Sequence, residues 1–270
     1  MAIAPLFRIL GCVYVNQVSP SRRPVIVGVG GFTSEVGKTT LLCDLLRAFP
    51  GWEAIKTTRG HYRSCGKDPH ACCVSDLLED EAVIRSGREL TYSPGKDTGR
   101  YWDSGAANVH WVIATDNQVE AGIKKALDRV QAPGVFIEGN SFTKFIKPDY
   151  FVMAVRPDDL KIKATAREAL KRVSAFYVSG ETKSGDRERL DKFLAKSNLG
   201  SFSINAPVFT NAELSQLITH LRVENSSIAE EIEARWASES EDRIDAYERG
   251  ELAVVDGPVA LRDLRSSLRR

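Results

Sequence analysis

From residue 25 onward the chain alternates between two textures. Short apolar, often β-branched runs fall at 25–30, 52–56, 109–114, 135–138, 150–155 and 175–179, with a last one at 207–209. Several lack polar alternation, as strands covered on both faces should, because neither side of the pleat meets water. Between them lie stretches of helical period. One spans 38–49 with Leu41, Leu42, Leu45 and Leu46 on one side, and a second opens at Asp116, an N-cap residue, and carries Val119, Ile123 and Leu127. A third bears Leu190, Phe193 and Leu194, and a fourth Leu214, Leu217, Ile218 and Leu221. This alternation predicts βαβ units, hence an α/β fold with a mostly parallel sheet flanked by helices. The texture changes after about residue 224. Residues 228–250 are charged and helical, with Ile228, Ile232 and Trp236 spaced by four and Ile244 and Tyr247 by three. A short apolar run at 252–255 follows, then Asp256-Gly257-Pro258 turns into a last helix bearing Leu261, Leu264 and Leu268. The expected organisation is an N-terminal arm (1–23), an α/β domain (24–223) and a helical appendage (224–270).

The most informative junction joins the first strand to the first helix. The strand 25–30 runs through Gly31-Phe32-Thr33-Ser34-Glu35-Val36 into Gly37-Lys38-Thr39-Thr40, and the leucine-rich helix follows directly. A strand–loop–helix ending in Gly-Lys-Thr is the setting of a phosphate-binding P-loop. There, successive backbone amides and the helix N-terminus cradle phosphate oxygens. On this reading Gly31, Ser34, Glu35, Val36, Gly37, Lys38, Thr39 and Thr40 surround a nucleotide, Lys38 reaches its β and γ phosphates, and the Thr39 hydroxyl binds Mg²⁺. Two departures stand out. Phe32 occupies the position of the usual first glycine, with Gly31 left to supply the bend, and Glu35 sets a carboxylate inside an anion-binding loop, where it should point outward. A second acidic group should hold the metal or orient water. Glu138, ending the run 135–138, suits that role, with Lys38 as its catalytic partner. Asp97, in Pro94-Gly95-Lys96-Asp97-Thr98, is either a further metal or nucleotide ligand or a helix N-cap.

Taken in order, GKTTLL, Ala54-Ile55-Lys56-Thr57, Pro94-Gly95-Lys96-Asp97-Thr98-Gly99-Arg100 with Ser104-Gly105-Ala106, and Phe136-Ile137-Glu138-Gly139 resemble the molybdopterin-guanine dinucleotide biosynthesis protein B (MobB-like) family of P-loop NTPases. The resemblance covers about residues 25–156. It implies GTP or ATP at Gly37, Lys38, Thr39 and Thr40, Mg²⁺ near Thr39 with Asp97 or Glu138, a homodimer, and a place in molybdenum cofactor biosynthesis. Departures from the family pattern are Phe32 for the first glycine, Thr57 for the histidine after Ile55-Lys56, and Asn140-Ser141-Phe142 after Glu138-Gly139. The segment 179–186 lies where related GTPases carry a guanine reader, but its Asp186 falls one residue late.

A second chemistry is written after the second strand. His61, Cys65, His70, Cys72 and Cys73 offer soft N/S ligands for a tetrahedral Zn²⁺ site. His70-Ala71-Cys72-Cys73 resembles the CxCC motif of CobW-like metallochaperone GTPases. The alternatives are that Cys72 and Cys73 are small buried hydrophobes opening a helix over 74–85, or that the cluster holds a reactive thiol. His110, inside a predicted strand, reads as a satisfied packing residue. The tail from about 212, with Glu233-Ala234-Arg235-Trp236 and a terminal leucine helix, resembles small antitoxin-like addiction-module components. That likeness implies a protein-binding arm, for a toxin-like partner or for dimerisation.

Composition trims the alternatives. The 270 residues are 43% hydrophobic and 27% charged, and 37 Lys and Arg against 36 Asp and Glu leave a net charge of +1. Such a balance argues against a broad nucleic-acid footprint. No run reaches the roughly 18–20 apolar residues of a membrane span. Five cysteines, three of them crowded between 65 and 73, fit reduced thiols in the cytoplasm better than a secreted disulfide framework. The apolar start, interrupted by Arg8, lacks the basic region of a signal peptide. The leading expectation is an NTPase or small-molecule kinase that uses Mg²⁺ and GTP or ATP with a small-molecule or protein acceptor. The alternatives are a metallochaperone-type GTPase using the Cys/His loop, and a nucleotide-binding adaptor.

Overall fold

Strands whose side chains are apolar on both faces need cover on both faces, and the sheet receives it. The computed structural model describes residues 23–60, 77–181, 183–196 and 206–251. Eight strands lie side by side: β1 (Val25–Gly31), β2 (Glu53–Arg59), β3 (Val83–Ser86), β4 (Val109–Ala114), β5 (Gly134–Glu138), β6 (Tyr150–Val155), β7 (Ala175–Val178) and β8 (Val208–Thr210). Their order is β3-β4-β2-β5-β1-β6-β7-β8, and each neighbouring pair is parallel except β3 with β4. This is the mostly parallel α/β sheet flanked by helices that the alternating pattern predicts. β5 shows the two-sided burial. Its Phe136 packs against Phe49 and Trp52 below helix α1 (Lys38–Ala48), while Val135 and Ile137 join the core that holds Val119 and Ile123 of α4 (Val119–Leu127). The remaining helices are α2 (Arg88–Thr91), α3 (Asp97–Asp103), α5 (Ala164–Ala169), α6 (Asp186–Lys196) and α7 (Leu214–Glu248).

Two sequence expectations are corrected. The helix expected over 74–85 is not formed in its described part: Val83–Ser86 is instead a short antiparallel edge strand on β4. Val83 and Ile84 are β-branched, and a four-residue edge strand is too short to show a period. The helix expected to open at Asp116 starts at Val119 with Gln118 as its N-cap, because Thr115–Gln118 close a turn and Asp116 is drawn to Arg59 at 3.0 Å. The arm 1–22, the Cys/His segment 61–76, the 252–255 run and the terminal leucine helix lie outside the described residues.

Strand register decides which side chains meet across the sheet. Val29 lies opposite Glu138, Glu138 opposite Lys56, Lys56 opposite Trp111 and Trp111 opposite Arg85. These five residues form one transverse row across β1, β5, β2, β4 and β3, and side chains in such a row share a face. One residue away, on the other face, Ser86 lies opposite His110. There the fully buried His110 ring bonds Ser86 Oγ at 2.8 Å and Glu53 Oε2 at 2.6 Å, while Glu53 Oε1 accepts the amides of Gln131 and Ala132. His110 is thus a satisfied buried residue, as its place in a strand implies.

The chain divides into two units, Met1–Leu221 and Arg222–Arg270. The sheet belongs to the first. Within the second, α7 runs to Glu248 with Ile244 and Tyr247 exposed. The side chains of Ile232 and Trp236 lie outside the described residues. Among the described residues no helix is long and apolar enough to cross a membrane.

Candidate functional site

In a parallel sheet the strand ends gather on one edge, and ligands sit where connections diverge to opposite sides. Here that point is the end of β1, flanked by β5 and β6. The chain leaves β1 through residues 32–37 and enters α1 at Lys38. Gly37 adopts φ +82°, and a Cβ there would stand 3.0 Å from the Ser179 Cβ, so glycine is required both by conformation and by space. Ser179 Oγ holds the loop from outside by donating to the Val36 carbonyl at 2.8 Å. Asn140 holds its root: the Gly31 amide donates to Oδ1 at 2.9 Å, and Nδ2 donates to the Gly31 carbonyl at 2.8 Å. A Cβ on Gly30 would come within 2.4 Å of that same Oδ1, which explains the glycine before the loop.

The departures expected to disturb the loop are absorbed in different ways. Phe32 is fully buried, its ring edge-on to Phe176 and tilted against Phe193, so it fills the core beneath the loop and leaves the cradle clear. Gly31 ends the strand and does not supply a left-handed bend; the positive-φ residues of the loop are Glu35 at +60° and Gly37. Glu35 is exposed at the crown, in a conformation that costs an L-residue about 1 kcal/mol.

Over the loop opens a hollow of about 530 Å³ into which Ser34, Glu35, Gly37, Lys38, Thr39 and Thr40 face together with Asp97 and Glu138. Of the residues expected at the site, Gly31 and Val36 do not line it. The Gly31 amide is taken by Asn140, and the Val36 side chain is buried. Lys38 Nζ donates to the Thr33 carbonyl at 2.7 Å across the loop. Burial lowers its pKa, and the ammonium groups of Lys56 and Lys163 add to that effect against the carboxylate of Glu138. Thr39 Oγ1 donates to Glu138 Oε2 at 2.9 Å. Asp97 occupies the first turn of α3, with Lys96 as the N-cap, so the N-cap reading is set aside. Its carboxylate is turned to Lys56 at 2.6 Å, which holds its pKa below the usual value despite burial.

Lys56 is one of several residues at this site to which the sequence assigns no role. Its ammonium stands between Asp97 Oδ2 at 2.6 Å and Glu138 Oε1 at 2.7 Å. Burial alone would depress its pKa; the two carboxylates outweigh that and raise it. The fully buried Tyr101 donates its hydroxyl to Glu138 Oε2, and burial beside that carboxylate drives the phenol pKa well above 10.0. Arg100 reaches Thr40 Oγ1 at 3.1 Å and Lys163 reaches Ser34 Oγ at 2.6 Å. Lys56, Arg100 and Tyr101 all fall within or beside the MobB-like motifs, and that proximity was the available signal. Asn140 enters the sequence pattern as a departure just after Glu138-Gly139, without a role; Lys163 carries no such mark.

A second hollow of about 340 Å³ adjoins the first at Gly37 and Thr40 and is walled by Tyr177, Ser179, Gly180 and Asn211. Tyr177 donates to Asn211 Oδ1 at 2.7 Å. Asp186, the candidate base reader, is buried and engaged locally, accepting the Lys183 amide at 2.8 Å. His61, Cys65, His70, Cys72 and Cys73 lie outside the described residues; the described free cysteine is buried Cys43. Among the described residues no group of three or more His, Cys, Asp or Glu is arranged to hold a metal ion.

No known family profile matches the chain, and no curated protein matches it. Among solved structures it is similar to HypB from Helicobacter pylori in complex with nickel, at 11% identity over 77% of this chain and 90% of that one, with a TM-score of 0.44. LpxK from Aquifex aeolicus in complex with ATP matches at 16% identity over 60% of this chain and 52% of that one, with a TM-score of 0.38. A nucleotide-binding protein from Archaeoglobus fulgidus in complex with ADP matches at 15% identity over 74% and 87%, with a TM-score of 0.33.

Proposed function

We propose that this chain binds a nucleoside triphosphate with Mg²⁺ in the hollow over residues 33–40 and transfers the terminal phosphoryl group, to water or to a small acceptor, as its MobB-like motifs imply. The observation that carries the reading is the convergence of Lys38, Thr39, Asp97, Glu138 and Lys56 at the mouth of a phosphate-binding loop. The polyphosphate would lie on the loop amides and the α1 N-terminus, with the base in the hollow beside Tyr177 and Asn211.

Mg²⁺ fits the donor set: Thr39 Oγ1, Asp97 and Glu138 are hard oxygen ligands, and a cation already stands between the two carboxylates in the form of Lys56. When bound, the metal supplies neutralisation of charge on the β and γ oxygens. Lys38 then exchanges the Thr33 carbonyl for a phosphate oxygen. Lys56, held between Asp97 and Glu138, offsets their charge beside the terminal phosphate, and such preorganised charge balance is the main resource of phosphoryl transfer. Glu138, oriented by Tyr101, orients the attacking water or the metal.

The test is a calorimetric titration with a non-hydrolysable Mg²⁺–triphosphate. Lys38→Ala should weaken binding at least tenfold, and an unchanged affinity would overturn the assignment of the loop. Glu138→Gln should preserve binding and slow turnover on the order of a hundredfold; a fully active variant removes Glu138 from the chemistry.

A further inference from the structure

Beyond Lys56, the transverse row continues through Trp111 to Arg85, and over these two side chains lies a separate cavity of about 550 Å³. That volume is of ordinary size for a small-molecule site. Its floor is the sheet, with Trp111 fixed in place by donating from Nε1 to Thr58 Oγ1 at 2.8 Å. Its roof is the segment that follows β3, where Leu90 and Tyr92 line the cavity although they are 60% and 37% exposed. Large apolar side chains left open around a concavity mark a surface waiting for a partner.

The charge of the walls says what kind. Arg85 sets its guanidinium over the Trp111 ring, 5.8 Å from the centroid, and Lys96 also lines the cavity. Among the described residues neither has a carboxylate partner. The remaining charges, Lys56 and Asp97, neutralise one another at 2.6 Å. The cavity therefore offers two uncompensated cations together with two aromatic rings. An anion alone would leave the rings wet, and an apolar molecule alone would bury the cations unpaired. A flat aromatic molecule bearing a carboxylate or phosphate satisfies both, lying against Trp111 and the free edge of Tyr92, whose face Arg88 already covers at 4.1 Å, while its anionic group meets Arg85 or Lys96.

Lys56 and Asp97 line both this cavity and the hollow over the phosphate loop. We infer that the cavity over Trp111 and Arg85 is a second-substrate site for a planar aromatic anion, held next to the terminal phosphate of the bound nucleotide. The ligand class follows from the cavity itself; its place as second substrate rests on the proposed nucleotide site.

The two are separable by experiment on the full chain. 2-Naphthoate serves as the planar anion and 2-naphthamide as its neutral counterpart, each titrated by calorimetry without nucleotide, alongside a separate titration with a non-hydrolysable Mg²⁺–triphosphate. Naphthoate should bind at least tenfold more tightly than the amide, and Arg85→Met should weaken it at least tenfold. Lys96→Met, on an exposed loop, provides an independent second loss of at least threefold, and thermal melts of both variants check that folding is intact. Equal affinity for acid and amide, or naphthoate binding indifferent to both substitutions, overturns the proposal even if the triphosphate binds. Failure of the triphosphate to bind while naphthoate does removes the nucleotide reading and the label of second substrate, but leaves the ligand class standing. If sedimentation shows a dimer that Arg85→Met dissociates, the cavity is an interface between copies and the proposal fails.

Discussion

At the scale of single residues, two positions set the behaviour of the phosphate loop. Glu35 holds a left-handed conformation at φ +60° and brings a negative charge to the rim of the proposed phosphate site. Glu35→Gly removes the backbone cost, which the free and bound forms share and which therefore shows in stability, and the charge, of about 1 kcal/mol, which shows in affinity. It should tighten triphosphate binding about fivefold, measured by titration at low salt. Lys38 gives the pH dependence. Its folded pKa is lowered by burial and by neighbouring ammonium groups, so it loses its proton on the alkaline side before an ordinary lysine at 10.5 would. Triphosphate affinity should therefore decline with rising pH, the decline setting in below 10.5, with proton uptake by the protein on binding. The Gly-Lys-Thr junction was legible in the sequence because its chemistry is local: one strand, one loop and one helix between Val25 and Ala48. Lys56 was not, because its role comes from lying opposite Glu138 on a strand 82 residues away.

At the scale of elements, the ties between strands carry the precision of the site. Asn140, at the end of β5, takes both backbone groups of Gly31 as a neighbouring strand would. Asn140→Ala leaves those groups unpaired and should cost about 1–3 kcal/mol in denaturant unfolding. Gly30→Ala forces the same carboxamide away, so the double variant should cost clearly less than the sum of the two single losses. On the opposite face, Glu53 binds the His110 ring and two amides, and these hold its pKa below 4.5 against the effect of burial. A carboxylate depressed in the folded state stabilises above its unfolded value and loses that contribution as pH falls through the lowered one. The protein should accordingly lose stability below about pH 4.5, less steeply in Glu53→Gln, and Glu53→Ala should cost about 3–5 kcal/mol near neutrality. Seven of the eight strands could be read from apolar runs, since two-sided burial leaves that mark. β3 escaped because an edge strand of four residues shows neither a run nor a period.

At the scale of the whole molecule, the sheet joins the two cavities through one row of side chains, and ligand binding should be felt as stability. A saturating Mg²⁺–triphosphate at a hundred times its dissociation constant should add about 2.7 kcal/mol to the sheet-bearing unit and raise its melting temperature by some 5–10 °C. The same addition should raise the melt of Lys38→Ala by no more than about half as much. The α/β class was legible from the alternation of strands and helices, but the registry that lines up Arg85, Trp111, Lys56 and Glu138 was not, because parallel strand order leaves no trace in local pattern. Phe32 bears on how such a ligand comes and goes. Its ring is locked among Phe176 and Phe193, its amide is bonded to the Ala154 carbonyl at 3.1 Å, and its own carbonyl accepts the Lys163 amide at 3.0 Å. Where a glycine would leave a pivot, this chain has driven a nail. On the proposed function, nucleotide exchange falls to the exposed crown at 33–35, with the base of the loop standing still.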